Sequence, residues 1–564
     1  MKNILFIIFA VMFFSSACGD IHNDLWNHLS RMSSDKQITS FEINGYKARI
    51  SGLTVNSVLP YGTSVKALKP QITHNGYSIS PESGETQDFT NPVSYTVTAS
   101  DGTMAVYTVS VKVLTVAEMS NANLSSLRVK KGKLQPALNS TDVDYLDAPI
   151  PFSDSENPAY NDKQSNSLIA DAEILIATMT MELENNGEVS VENATEKVFP
   201  SIKVGSNVVT VTVTAADKTT KKTYKLNMYR AVPIFKTGAG NYTGINEFED
   251  GATQRGVSGP SVRFTNNGDG TVTDNMTGLM WSKNINLIAG SNLANAVSVT
   301  SSMFLGGNDD WRLPNVKEIM NLRSYDNKFI DNLPTYFDGK NESSKWWTST
   351  VNTSVNDIVF CFSDPNYIAW TPSGSNLVWA VREIDPLLPI LPKTGSKPQV
   401  AGDDGNLQRG VEWPNPRFYK DESGAIVDNM TSLMWFEKQY DGSTYGYVGL
   451  VNYCKNTINK SETVYHGFYD WVIPNVREIE TLSNFGEDDI LWLKNSPVGL
   501  FDVRTDNGVG NPIDIWTSTI DPIDSGNAYC YDTSLQVVKL IQKATPPCDI
   551  LPVRLIKPSE MTNY

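Results

Sequence analysis

Polar and apolar residues alternate one by one through YTVTASDGTMAVYTVSVKV (95–113) and again through VTVTAADKTTKKTYKLNMY (211–229). A period of two sends one set of side chains to a core and the Thr, Ser and Lys set to solvent, so each stretch is predicted to be a pair of strands. Both reach Thr-Ala-x-Asp, turn, and resume at a tyrosine, Tyr107 or Tyr224. Asp101-Gly102 carries the chemistry of a tight hairpin turn; Asp217-Lys218 carries less of it. Each pair is expected to close a β-sandwich, one over 37–115 and one over 118–231.

Beyond residue 235 the period changes. WRLPNVKEIMNL (311–322) and WVIPNVREIETL (471–482) are near copies. Val316, Ile319, Met320 and Leu322 recur at helical spacing, as do Val476, Ile479 and Leu482. Asn315 and Asn475 suit an N-cap, and Glu318 and Glu478 stand three residues on, which is a capping-box pattern. The glutamates could instead be general acids, but the cap already explains their spacing. Other anchors repeat in the same order. QRGV (254–257) pairs with 408–411, DNMTGLMW (274–281) with DNMTSLMW (428–435), WTST (347–350) with 516–519, and Val381-Arg382 with Val553-Arg554. The spacing between copies grows along the chain, so the insertions are expected in loops. Pro233 and the run 386–392 punctuate the boundaries, giving units at 235–385 and 390–557.

Eleven of the twelve tryptophans lie beyond residue 235. Trp281, Trp311, Trp347, Trp435, Trp471 and Trp516 sit at matched anchors and are expected to be structural, since burying such rings removes large apolar areas from water. Arg312, Arg382 and Arg554 are expected to be partly buried, bonded to carbonyls or to Asp274 and Asp428. Trp346, Trp370 and Trp379 lack aromatic counterparts in the second copy and are the candidates for a sugar-binding platform.

Length adds that 564 residues exceed one core. The net charge is −16, which argues against a nucleic-acid partner. The basic cluster Lys130-Lys131-Gly132-Lys133 reads as a solvated turn. Lys2 and the apolar run Ile4–Phe14 have the shape of a signal peptide (1–18), too short to span a bilayer. Ser15-Ser16-Ala17-Cys18 resembles a bacterial lipobox, which implies lipidation of Cys18 and a polar tether over 19–36. Cys361, Cys454, Cys530 and Cys548 allow three pairings, and none has CxxC spacing, so no zinc site or other cofactor is expected. Asn267-Gly268-Asp269-Gly270 reads as a hairpin turn before a calcium loop, because Thr265 and Met276 stand where an EF-hand needs acids.

NLSSLRVKKGKLQPALNSTDVDYLDAPI (123–150), with the strand pair that follows, resembles a cadherin-like β-sandwich domain of bacterial surface proteins. The unit from ITSFEING (38–45) to SVKV (110–113) is similar to an immunoglobulin-like module of bacterial lipoproteins. GTVTDNMTGLMW (270–281), DDWRLPNVKEIMNLRSYD (309–326), WWTST (346–350) and WAVRE (379–383) resemble the Lcl C-terminal domain family, named for a collagen-like bacterial adhesin. The second copy departs at Val472-Ile473 and Ser432. The resemblance implies compact mixed α/β domains on an exported protein. The named member binds sulfated polysaccharide, whereas this chain is acidic and lacks collagen repeats.

The expected fold is thus multidomain: two all-β immunoglobulin-like sandwiches followed by two α+β domains, distantly C-type-lectin-like. The four histidines, His22, His28, His74 and His466, are scattered, and no triad, HExxH, GxSxG or P-loop is present. The function expected is therefore not enzymatic. It is a lipid-anchored protein of the outer membrane or cell surface, binding glycan or host matrix through its tandem C-terminal units. A periplasm-facing envelope scaffold and an enzyme of unknown specificity are the alternatives.

Overall fold

The strand Val93–Thr98 turns through Asp101-Gly102 into Met104–Val113, with Tyr95 opposite Tyr107. Thr54–Leu59 runs parallel to the end of the long strand. These belong to a five-stranded sheet that shares a core with a three-stranded sheet around Ile38–Ile43. The next sandwich repeats the device: Val208–Thr214 pairs with Lys221–Arg230 in a six-stranded sheet, over a three-stranded sheet. Val209, Val211 and Val213 point to the core, as the alternation requires. The repeated tyrosines have one task. Tyr107 accepts the backbone N–H of Ile38 at 3.3 Å, and Tyr224 that of Leu124 at 3.0 Å, so each ring packs inside while its hydroxyl ties down the opening strand.

This is a computed structural model that describes residues 33–556, apart from 131–133, 136–137, 139–143, 151–163, 185–187, 190–194, 241–246, 289, 327–332, 341–344, 353–357, 364–366, 371–374, 386–389, 400, 438, 441–445, 460–466, 488–491, 496–499, 503–513, 534–535 and 544–547. Cys18 and most of the tether lie outside the described residues. No described helix is long and apolar enough to cross a membrane.

The two C-terminal repeats share topology and register. Trp281 lies between Val272 and Val381 in a four-stranded sheet; Trp435 lies between Ile426 and Val553 in its counterpart. Arg312 bridges to Val381, and Val472 to Val553, so the Trp-x-x-Pro segment borders the sheet in both. The short helices Val316–Asn321 and Val476–Glu480 begin in complete capping boxes. Asn315 Oδ1 accepts Glu318 N–H at 2.9 Å, and Glu318 Oε2 accepts Asn315 N–H at 2.7 Å. A threonine of each WTST strand then accepts the next free amide: Thr350 from Val316 at 2.9 Å, Thr519 from Val476 at 3.2 Å. The twelve-residue motif and WTST are therefore two halves of one brace around a helix start. The chain is multidomain and β-rich, with several sheets and few short helices.

The repeats interlock. The opening segment of the first, around 235–257, packs on the second: Asp250 accepts Thr519 Oγ1 at 2.9 Å, Lys543 reaches Glu249 at 2.7 Å, and Ala239 joins the second core. The opening segment of the second, around 390–411, packs on the first: Asp404 accepts Thr350 Oγ1 at 2.9 Å, and Leu391 and Val411 join the first core. Each core takes in residues of its neighbour's arm, while Phe235 and Val257 of the first arm also stay with the first core. The linking strand also docks on the head through Val232 N–H to the Met430 carbonyl at 2.9 Å.

Candidate functional site

At the seam of the interlock lie two related polar centres. In the first repeat Arg312 is the buried hub. It bonds Glu318 at 2.6 and 2.8 Å, Glu383 at 2.7 Å and the Leu313 carbonyl at 3.2 Å. In the second repeat Val472 and Leu555 replace Arg312 and Glu383, so Glu478 has no partner of its own repeat at those positions. Arg255, from the first repeat's arm, supplies the guanidinium instead. It bonds Glu478 at 2.7 and 3.0 Å and the Ile473 carbonyl at 2.8 Å. One buried carboxylate, two sources of cation: loss of the local arginine is matched by an arginine in trans.

Asp404 and Asp250 flank these centres. Burial pushes the Asp404 carboxyl up to about 6, against the hydrogen bonds from Thr394 and Thr350. Asp250 is raised by burial as well, against the Thr237 bond, and its Oδ1 has no partner among the described residues. Burial pulls Lys317 down to about 7, with Arg417 adding repulsion. These shifts resemble those of catalytic groups. The carboxyl groups are enclosed and bonded to threonines, Asp404 to Thr394 and Thr350 and Asp250 to Thr237 and Thr519. A cavity of about 250 Å³ opens at the same seam, lined by Val232, Ile234, Arg255, Val257, Leu433 and Glu478 among others.

The sugar-platform expectation is corrected. Trp346 and Trp379 are fully buried. Their indole N–H groups donate to the carbonyls of Ile285 at 2.7 Å and Ser282 at 2.9 Å. The rings of Trp281 and Trp379 pack at 4.7 Å. The second repeat fills the equivalent positions with Ile515 and Leu551, also buried, so in both repeats these positions belong to the core. Trp370 ends the strand Tyr367–Trp370, and its side chain lies outside the described residues.

Trp281, Trp311, Trp347, Trp435, Trp471 and Trp516 are all buried. Arg382 and Arg554 do not meet Asp274 and Asp428. Arg263 and Arg417, one residue from the paired strand positions Phe264 and Phe418, hold those aspartates at 3.2 and 3.1 Å. Arg382 instead binds Asp310 at 2.5 Å, and Arg554 binds Asp470 at 2.6 Å, in the loops that precede Trp311 and Trp471. Burial would raise the Asp310 carboxyl, but Arg382 outweighs it and holds it below its ordinary range. The same loops carry exposed aromatics, Phe304 at 73% and Tyr469 at 60%. Each repeat thus presents an open ring on a loop anchored by an Arg–Asp pair. Nothing in the repeat alignment marked those rings, since they occupy unmatched positions.

Spacing also concealed a cluster. Asp514, Cys530 and Cys548 bring their carboxylate and sulfur atoms within 4.8 Å of one another. Asn267–Gly270 forms a hairpin turn in which Asp269 accepts from its own Thr271, at 3.0 Å from the amide and 2.6 Å from the hydroxyl.

Three family models match consecutive segments: SGBP, N-terminal, at 38–111; cadherin-like beta sandwich domain at 134–231; and Lcl C-terminal domain at 270–382. No curated protein matches the chain. Solved structures similar to parts of it include a protein from Bacteroides thetaiotaomicron assigned as a glycoside hydrolase (18% identity, 32% of this chain and 52% of that one, TM-score 0.14). Others are the extracellular domain of a hybrid two-component system protein from the same organism (9% identity, 36% and 27%, TM-score 0.14) and fibronectin(III)-like modules of Clostridium thermocellum CbhA (12% identity, 34% and 94%, TM-score 0.12). The chain spans about half the length of the first of these and about a quarter of the second; at such TM-scores they carry no argument. Segment by segment, the chain resembles a surface glycan-binding module, a cadherin-like sandwich and an Lcl C-terminal domain.

Proposed function

We propose that the protein is an envelope-anchored, non-enzymatic binding protein that recognises glycan or extracellular matrix through its C-terminal head. The two sandwiches hold the head away from a membrane reached through lipid on Cys18. The head comprises two Lcl C-terminal-type domains, 235–385 and 390–557, the distant C-type-lectin-like likeness being part of this reading. The observation that supports it most is the run of matches to surface-module families, opening on the SGBP N-terminal match. The geometry adds the binding chemistry. Exposed Phe304 and Tyr469 offer ring faces to the C–H faces of a sugar, and Asp310 and Asp470, fixed by Arg382 and Arg554, offer acceptors to hydroxyls.

The test is a glycan and matrix-protein array probed with the purified mature protein, followed by Phe304→Ala and Tyr469→Ala. Binding to a defined class of ligand, weakened by either change without loss of folding, supports the proposal. Uniform failure to bind, or turnover of an arrayed glycan, overturns it.

A further inference from the structure

The second repeat holds two buried thiols that the first cannot pair. Cys530 lies opposite Trp516, as Cys361 lies opposite Trp347 in the first repeat. Cys548 lies beside Asp514, and its first-repeat equivalent, one residue before the parallel partner of the preceding Trp346, is Asn376. The substitution of Asn by Cys therefore creates a pair where its sister has a single cysteine. The two Sγ atoms stand 3.0 Å apart, and both residues are buried. That is closer than about 3.8 Å, the separation two thiolates take on one tetrahedral zinc. A cation already occupies the neighbourhood: Lys539 Nζ lies 2.8 Å from Asp514 and 2.9 Å from Asp532, with its own charge favoured by those bonds despite partial burial.

We infer that Cys530 and Cys548 form a disulfide in the mature protein, and that this bond pins the C-terminal segment of the head. The strand Asn527–Asp532 would be tied to Cys548–Asp549, which leads directly into Val553–Leu555 and Arg554. The crosslink thus steadies the residue that anchors the Asp470 loop. The inference does not depend on the ligand proposed above.

The chemistry is thiol–disulfide exchange with a disulfide-bearing oxidant. The thiolate of one cysteine attacks an oxidant sulfur, and one thiolate of the oxidant leaves. The second cysteine then attacks the mixed disulfide, forming the Cys530–Cys548 bond and releasing the oxidant's other half. The oxidant gains two electrons and takes up the two protons. Burial holds the Cys530 thiol well above its ordinary range, so the folded reduced pair is slow to react, and closure belongs to the folding stage.

The experiment is to refold the purified protein with glutathione disulfide, trap free thiols under denaturing conditions, and map peptides by mass. The expected result is a crosslinked Cys530–Cys548 peptide lighter by two hydrogens, with Cys361 and Cys454 alkylated. Reduction should lower the melting temperature of wild type but not of Cys548→Asn, the residue of the sister repeat; Cys548→Ser repeats the test should that variant not fold. Four alkylated cysteines after oxidative refolding, a bond from Cys530 or Cys548 to another cysteine, or stoichiometric metal released by a chelator would each overturn it.

Discussion

Replacing Arg255 by methionine tests the interlock at one side chain. Arg255 belongs in sequence to the first repeat, yet its three short hydrogen bonds go to Glu478 and Ile473 of the second. The change keeps the aliphatic stem and leaves the Glu478 carboxylate enclosed, 6% exposed, with no guanidinium. Removing one partner of a buried pair costs about 3–5 kcal/mol. The Arg255 side chain is 20% exposed, so water screens part of this and the lower end, about 3 kcal/mol, is expected. Glu478→Gln retains the cap, since glutamine also serves at that helix position, and removes the charge. The double variant should therefore recover part of the loss, with a coupling energy of about 1.5–3 kcal/mol. Urea denaturation followed by tryptophan fluorescence reads all four corners of the cycle. A coupling below about 0.5 kcal/mol, or an Arg255→Met loss of that size, would refute the claim that the arm holds its neighbour.

Other outcomes follow from the same contacts. Asp404 is raised from 3.8 to about 6, so its neutral form is the one the fold prefers. Its contribution is complete below pH 4 and is lost as pH rises through 6. Asp404→Asn should therefore gain on wild type across that window, by up to about 3 kcal/mol, in denaturation at matched pH values. Trp379→Ala should cost about 3–5 kcal/mol of stability through the cavity it leaves, whereas a platform residue would lose ligand and keep its stability. Phe304→Ala and Tyr469→Ala should alter stability by less than about 0.5 kcal/mol, because exposed rings contribute little to a core. Asn315→Ala should cost about 1 kcal/mol by uncapping its helix, read in thermal melts.

The hairpins and the helix starts were legible because their signals are local. Alternation over 95–113 and 211–229, and the Asn–x–x–Glu spacing, each determine backbone partners within a few residues. The interlock was not legible. Both repeats carry QRGV, and nothing in a pair of identical motifs says whose core each arm completes. The sequence holds one clue: Arg312 becoming Val472 implies that Glu478 finds its cation elsewhere, and Arg255 is that cation. Trp346 and Trp379 lack aromatic counterparts in the second repeat, a pattern that points to a ligand platform, yet both are buried. Ile515 and Leu551 show that the two cores are packed differently in the same places. The cysteine pair is not legible in the sequence because the strands on either side of Asp514–Ile520, not spacing along the chain, bring the two sulfur atoms together.

The central claim is that the two repeats form one head whose arms are exchanged. It is tested most directly by cutting the chain between them. A protease site placed within 386–389 and cleaved in the folded protein should leave both fragments in one particle on size-exclusion chromatography, with a single unfolding transition, because each fragment's arm remains seated in the other's core. Fragments that separate on dilution, or melt independently, would contradict it.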